Sequence, residues 1–221
     1  MHYLLQYLLL PTLYVTTVYH TPAKAIKKNY VYAEFNVKDK GLSQAAFDEG
    51  IKGLYYLYAK GKIRRDDYLT ICDMSQSSAS KRMYVLDLEH KKVVYNIRVA
   101  HGQGSGGVYA NYFGNDTGSH RTSLGFYTTS HTYQGDNGYS LKLIGHEPSI
   151  NNLAWERAIV LHGADYVQDG YYQANGTIGR SWGCPAVATS HAKQVINTIK
   201  NGTCVYLYHP STAYHKKSKI V

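Results

Sequence analysis

The sequence predicts a β-rich fold, mainly β with a few helices, and three observations carry that expectation. Tyrosine dominates the aromatic residues, 23 against 4 phenylalanines in a chain of 221. Its ring packs on a pleated surface while its hydroxyl reaches water, which suits half-buried strands. Short apolar runs rich in Val, Ile and Tyr recur between Gly- and Asn-containing turns, whereas helical spacing is confined to two stretches. With 44% hydrophobic and 18% charged residues, the chain can bury a sizeable core.

In chain order, residues 1–25 read as a signal peptide. An apolar run from Tyr3 to Val18 is followed by Ala23-Lys24-Ala25, an A-x-A cleavage signature. Gln6 and Pro11 interrupt the run, so no stable membrane span is expected. Residues 26–66 form an N-terminal extension, polar and loosely ordered up to Gly41. It then carries one helix, in which Phe47, Ile51, Leu54, Tyr55 and Tyr58 recur at helical spacing behind a Ser43 N-cap. Residues 67–221 form the β-dominated domain. Strands are expected over 68–73, 82–87, 93–100, 125–129, 139–145, 158–167 and 203–208, and a helix follows the Gly183-Cys184-Pro185 turn, ended by Gly202.

The net charge of +9 and a pI near 9.3 point to a polyanionic partner. The cations are scattered and no base-reading motif accompanies them, so no nucleic acid is expected. Gly102, Gly104 and Gly107 formally match G-x-G-x-x-G. A dinucleotide site needs a helix next, and an aromatic, turn-rich stretch follows instead. His146-Glu147 begins a zinc-peptidase pattern, but Ile150 stands where the second histidine belongs. No metal and no cofactor are expected.

The three cysteines differ by context. Cys72 and Cys204 lie in apolar, strand-like runs, as core thiols or as a pair. Cys184 lies in "GRSWGCPAV", flanked by Gly183 and Pro185 and preceded by Arg180, Ser181 and Trp182. His162 ends the apolar strand "AIVL" and is followed by Gly163. A neighbouring imidazole raises the reactivity of a thiol by taking its proton. The amides of Gly183 and Cys184 are candidates for an oxyanion hole. On pattern alone, a buried structural cysteine with a core histidine is an equal alternative.

His162-Gly163 with Ser181, Gly183 and Cys184 resembles the signature of the L,D-transpeptidases, the cysteine enzymes of bacterial peptidoglycan. Pro185 after the cysteine is similar to the exported murein branch. "VAHGQGSG", "SLGFYTT", "YSLKLIGHE", "ERAIVLHGADYV" and "IKNGTCVYLYHP" look like that branch too, so the resemblance runs from Leu69 to Pro210. Trp182 stands where the general motif has histidine, and Ala186 where many members have Arg or Asn.

The resemblance implies a β-sandwich or mixed-sheet catalytic domain with a groove over the sheet. It implies Cys184 as nucleophile, His162 as base and the Gly163 carbonyl as the group orienting His162. The substrates implied are peptidoglycan stem peptides: a thioester forms, D-alanine leaves, and a second stem accepts in a 3→3 cross-link. With water as acceptor the activity is an L,D-carboxypeptidase. A non-catalytic wall-binding protein is the rival class, and the oligomeric state is left open. Ser181 is expected to brace the turn or touch substrate, Arg180 to meet a substrate carboxylate or to stand as a surface arginine, Trp182 and Tyr133 to line the groove, and His101 to contact substrate or to be a satisfied strand-end histidine. An exported location, periplasm or cell envelope, goes with this reading.

Overall fold

The helix expected after Ser43 forms over Gln44–Ala59 (α1) in the computed structural model, which describes residues 29–221. The Ser43 side chain accepts the Ala46 amide, satisfying one donor of the first turn. The expected signal peptide lies outside the described residues. The segment before α1 departs from the loosely ordered stretch expected of it. It makes two 3-10 helices, Tyr32–Phe35 and Lys38–Lys40, and buries Phe35, Val37 and Leu42. Three apolar side chains among the polar ones suffice to pin it, with the Phe35 ring 5.2 Å from that of Phe47.

Eight strands follow: β1 (Tyr68–Asp73), β2 (Met83–Asp87), β3 (Lys92–Ile97), β4 (Gly125–Gly135), β5 (Gly138–Gly145), β6 (Val160–Ala164), β7 (Ala186–Ala188) and β8 (Cys204–Tyr208). They form one mixed sheet in the order β3-β2-β1-β8-β4-β5-β6-β7. The β1–β8 and β6–β7 pairs are parallel and the others antiparallel. Ala100, just past β3, bridges to Ala186 in β7. The chain leaving one edge of the sheet therefore reaches the strand at the other edge. That near-closure brings residues 101–103 beside the turn that holds Cys184.

Helix α1 packs on β1 and β8 and buries Phe47, Ile51, Leu54 and Leu57. Each such side chain contributes about 1.5–3 kcal/mol when fully buried. Helix α3 (Thr189–Ile199) packs against β6 and buries Val195, Ile196 and Ile199. Two short helices, α2 (Asp169–Asn175) and α4 (Thr212–Lys217), complete the set.

Several boundaries differ from expectation. Strand β3 stops at Ile97, and β6 is only five residues long because 165–167 turn into a 3-10 helix. The helix after Cys184 begins at Thr189, because 186–188 pair with β6 first. Cys72 and Cys204 are free, buried thiols. They lie on neighbouring strands but out of register, with Cys204 opposite Leu69 and Cys72 opposite Leu207. Burial pushes the Cys72 thiol up to about 12 and raises that of Cys204 as well. Among the described residues no helix is long and apolar enough to cross a membrane.

Candidate active site

Strand β6 places His162, and the turn entering β7 places Cys184. In the parallel β6–β7 pair His162 lies opposite Ala186, two residues beyond Cys184. The Val160 amide, two residues before His162, donates to Cys184 Sγ at 3.5 Å. The thiol thus sits against the edge of the strand that carries the histidine, one pleat repeat away along it. Its own hydrogen points to the Ala158 carbonyl, with Sγ 3.7 Å from the oxygen. Ala158 has a left-handed backbone, φ 53°, which turns the chain into β6.

His162 is 4% exposed, and its Nδ1 lies 2.9 Å from the Gly163 carbonyl oxygen. A carbonyl can only accept, so Nδ1 carries the hydrogen and Nε2 holds the free lone pair. Burial lowers the imidazole pKa below its ordinary value, and the Gly163 carbonyl opposes that in part. Burial likewise raises the Cys184 thiol, against the Val160 amide and the Arg157 charge. Both shifts favour the neutral forms, thiol and imidazole. Gly163 also admits α3: a Cβ there would lie 3.0 Å from the Ala192 Cβ and 3.1 Å from the Thr189 Cα.

The turn itself is closed by Ser181, whose buried hydroxyl accepts the Gly183 amide at 3.1 Å and donates to the Cys184 carbonyl at 2.6 Å. The Gly183 amide, a candidate oxyanion donor by sequence, is therefore engaged inside the turn. Gly183 has φ +126°, in the region that favours glycine. The turn is held to the segment after Ala100 by the Ser181 amide on the His101 carbonyl at 3.0 Å and the Gln103 amide on the Ser181 carbonyl at 2.8 Å. Thr122 adds a third link, accepting the Gly102 amide at 2.9 Å and donating to the Gly183 carbonyl at 3.2 Å.

The other expected residues divide. Trp182 is 73% exposed and stacks on His120, with centroids 5.0 Å apart. Arg180 is exposed and donates to the Gly106 carbonyl at 2.9 Å. Tyr133 lies on β4, half-buried, beside the Lys142 ammonium. His101 follows the second of its two expectations, a histidine partnered in the interior rather than a substrate contact: its side chain is fully buried and its Nδ1 accepts from the Arg82 guanidinium at 2.7 Å. Burial, then the Arg82 charge, lowers its pKa to about 4.

The glycine-rich "HGQGSGG" has its reason here. A Cβ at Gly102 would lie 2.2 Å from the His120 carbonyl oxygen and 2.9 Å from Gly183 Cα. His146 and Glu147 form no metal centre. The Glu147 carboxylate accepts the Phe126 amide, the Tyr214 hydroxyl and the Ser218 hydroxyl. Among the described residues no group of three His, Cys, Asp or Glu is placed to hold a metal ion.

Sequence reasoning missed Arg157 and Thr122. Arg157 donates to the Gly114 carbonyl, the Ser123 hydroxyl and the Arg121 carbonyl, bracing the loop behind Gly183. Arg157 lies in the quoted stretch "ERAIVLHGADYV", but nothing local gives it a role there, and Thr122 lies outside every quoted stretch.

Cys184, whose thiol is held on β6 by the Val160 amide, and His162 two residues further along that strand define the candidate site. Residues 38–208 match the L,D-transpeptidase catalytic domain, and the chain belongs to that family. No curated protein matches it. Among solved structures it is similar to an L,D-transpeptidase from Mycobacterium smegmatis, at 13% identity and a TM-score of 0.38, over 65% of this chain and 59% of that one. It is similar to the helical cell shape determining protein Pgp2 from Campylobacter jejuni, at 14% identity and a TM-score of 0.43, over 68% of this chain and 50% of that one. For the L,D-transpeptidase from Xylanimonas cellulosilytica the values are 18% and 0.37, over 74% and 77% of the two chains. The chain thus spans 59% of the mycobacterial protein and half of Pgp2.

Proposed function

We propose that this chain is an exported peptidoglycan L,D-transpeptidase that acts through a thioester on Cys184. The observation that carries the reading is the pairing of two contacts. The Gly163 carbonyl fixes the hydrogen on His162 Nδ1, and the Val160 amide holds Cys184 Sγ at the edge of the same strand.

The reaction follows from that arrangement. Cys184 Sγ attacks the carbonyl of the third, diamino-acid residue of a tetrapeptide stem as His162 Nε2 takes the thiol proton. The tetrahedral oxyanion is met by the Cys184 amide, the Gly183 amide being held by Ser181. Collapse breaks the bond to D-alanine, and His162 returns the proton to the leaving amine. The side-chain amine of a second stem then attacks the thioester, giving a 3→3 cross-link and restoring the thiol. Burial favours the neutral form of each group, which suits proton transfer in step with attack. A serine hydroxyl in that seat would be far less nucleophilic. An envelope location and a signal peptide over 1–25 belong to this proposal.

The test incubates the purified chain and its Cys184→Ala variant with tetrapeptide-stem muropeptides and reads the products by mass spectrometry. A cross-linked dimer that has lost D-alanine, absent with the variant, is the expected result. Tripeptide stems alone would assign the chain as an L,D-carboxypeptidase. No product and no thioester adduct with a carbapenem would leave the wall-binding reading in its place.

A further inference from the structure

We propose that the Lys142 ammonium forms a carboxylate-binding subsite on the sheet face that carries His162, taking a carboxylate of the donor stem. The inference rests on the function proposed above and adds a specificity-determining residue to it.

The sheet geometry places Lys142. In the antiparallel β5–β6 pair, Lys142 lies opposite Val160 and Leu141 opposite Leu161. Residues directly opposite share a face, and neighbours along a strand alternate between faces. Leu141, Leu143 and Leu161 point into the core. Lys142, Val160 and His162 therefore share the other face, and the Val160 amide contacts Cys184 Sγ. Lys142 stands one strand across from the nucleophile.

Its surroundings leave the charge available. Nζ lies 4.6 Å from the Trp155 ring centroid and 5.4 Å from that of Tyr133. Trp155 is 46% exposed, and its edge meets the His131 ring at 5.9 Å. Two aromatic faces hold an ammonium by its charge but accept no full hydrogen bond, so its N–H donors stay open. Among the described residues no carboxylate lies within ion-pair distance of Nζ.

Of the other cations near the turn, Arg121 points to the Tyr112 ring, 5.9 Å away, on the far side of Gly183, and two more are engaged. Arg157 and Arg180 donate to backbone carbonyls. Ala186, on β7 beside the thiol, is buried and carries no charge. A half-buried ammonium between two aromatic rings, with no carboxylate partner among the described residues, fits a carboxylate. Two stem carboxylates flank the scissile bond, the α-carboxylate of the terminal D-alanine and the carboxylate on the diamino-acid side chain.

The test measures binding by calorimetry to the full chain carrying Cys184→Ala, alone and with Lys142→Met or Lys142→Arg. The ligands are the tetrapeptide stem, its C-terminal amide, and the stem amidated on the diamino acid. Melting temperatures check that each variant is folded. Lys142→Met is expected to weaken binding of the unmodified stem about tenfold, with Lys142→Arg within about threefold of the parent. Amidating the carboxylate that Lys142 holds should cost the parent the same factor and the Met variant nothing further, which tells the two sources apart. Equal binding of the unmodified stem by the parent and the Met variant overturns the subsite and leaves the proposed function standing. No binding of any stem by the parent removes the proposed function, and the subsite with it.

Discussion

The Ser181 hydroxyl donates to the carbonyl of Cys184 at 2.6 Å and so ties the nucleophile to the residue three positions before it. The same oxygen takes the Gly183 amide, and one hydroxyl thereby satisfies both ends of the turn. Ser181→Ala leaves a buried amide and carbonyl without that partner, which costs about 1–3 kcal/mol. The larger effect is expected on chemistry. Loss of registration at Sγ should slow thioester formation about 10- to 100-fold, read as the rate of carbapenem acylation by mass spectrometry. A rate equal to that of the parent would show that the turn holds its shape without Ser181.

Gly102 is required for another reason. Its Cα faces the His120 carbonyl and Gly183, and a methyl group would displace one of them. Gly102→Ala should lower carbapenem acylation at least as much as Ser181→Ala, because it pushes the backbone of the turn directly. Gly107, where a Cβ meets nothing within 4 Å, is the control in the same loop. Gly107→Ala should acylate at nearly the parent rate, and equal losses at both glycines would refute the close-approach argument.

The resting charge state can be read from the thiol. Burial raises the Cys184 pKa above the ordinary thiol value and lowers that of His162. Alkylation of Cys184 by iodoacetamide, followed in a Cys72→Ala, Cys204→Ala background, should be slow at pH 7 and still rising through pH 9. A plateau already reached below pH 7 would mean a thiolate–imidazolium pair at rest.

Acid should destabilise the fold in a defined window. Burial lowers His101 to about 4, with Arg82 adding to the shift, and burial lowers His146 to about 4, with Lys62 adding. Their unfolded value is about 6.5, so below it the unfolded chain binds protons that the folded chain refuses. Stability from these groups is complete above pH 6.5 and falls as pH drops towards 4, by on the order of a few kcal/mol for the two together. Glu147, raised by burial, works the other way: the folded state takes its proton first on acidification. Two histidines against one carboxyl leave a net loss. Urea unfolding at pH 7.5, 6, 5 and 4.5 measures it, and a flat stability across that range would contradict the assignment.

Helix α1 supplies a prediction about the extension. Gly53 lies against Phe126 of β4, and a Cβ there would come within 2.0 Å of the ring. Gly53→Ala should lower stability by about 1–3 kcal/mol through overpacking, despite the better helix propensity of alanine. Thermal melting of the variant reads the sign, and a raised melting temperature would show that α1 docks only loosely.

The sequence by itself determined what depends on neighbours along the chain. The Ser43 cap, the helical face of Phe47, Ile51 and Leu54, and the short apolar runs of strands β1, β2 and β8 follow from local pattern, because a helix writes its period, and a strand buried on both faces its apolar run, into neighbouring residues. The unusual context of Cys184, between Gly183 and Pro185 and away from any apolar run, was equally local. The tertiary structure alone decided the rest. Strand β7 has three residues and no periodicity to read; it exists because β6 and Ala100 flank it. Thr122, Arg157 and Lys142 reach the site through sheet pairing and loop contacts between distant parts of the chain. His101, next to the glycines in sequence, turned inward because Arg82 offers it a buried donor. Such placements are set by which surfaces meet once the sheet curls round, and no short window of sequence contains both partners.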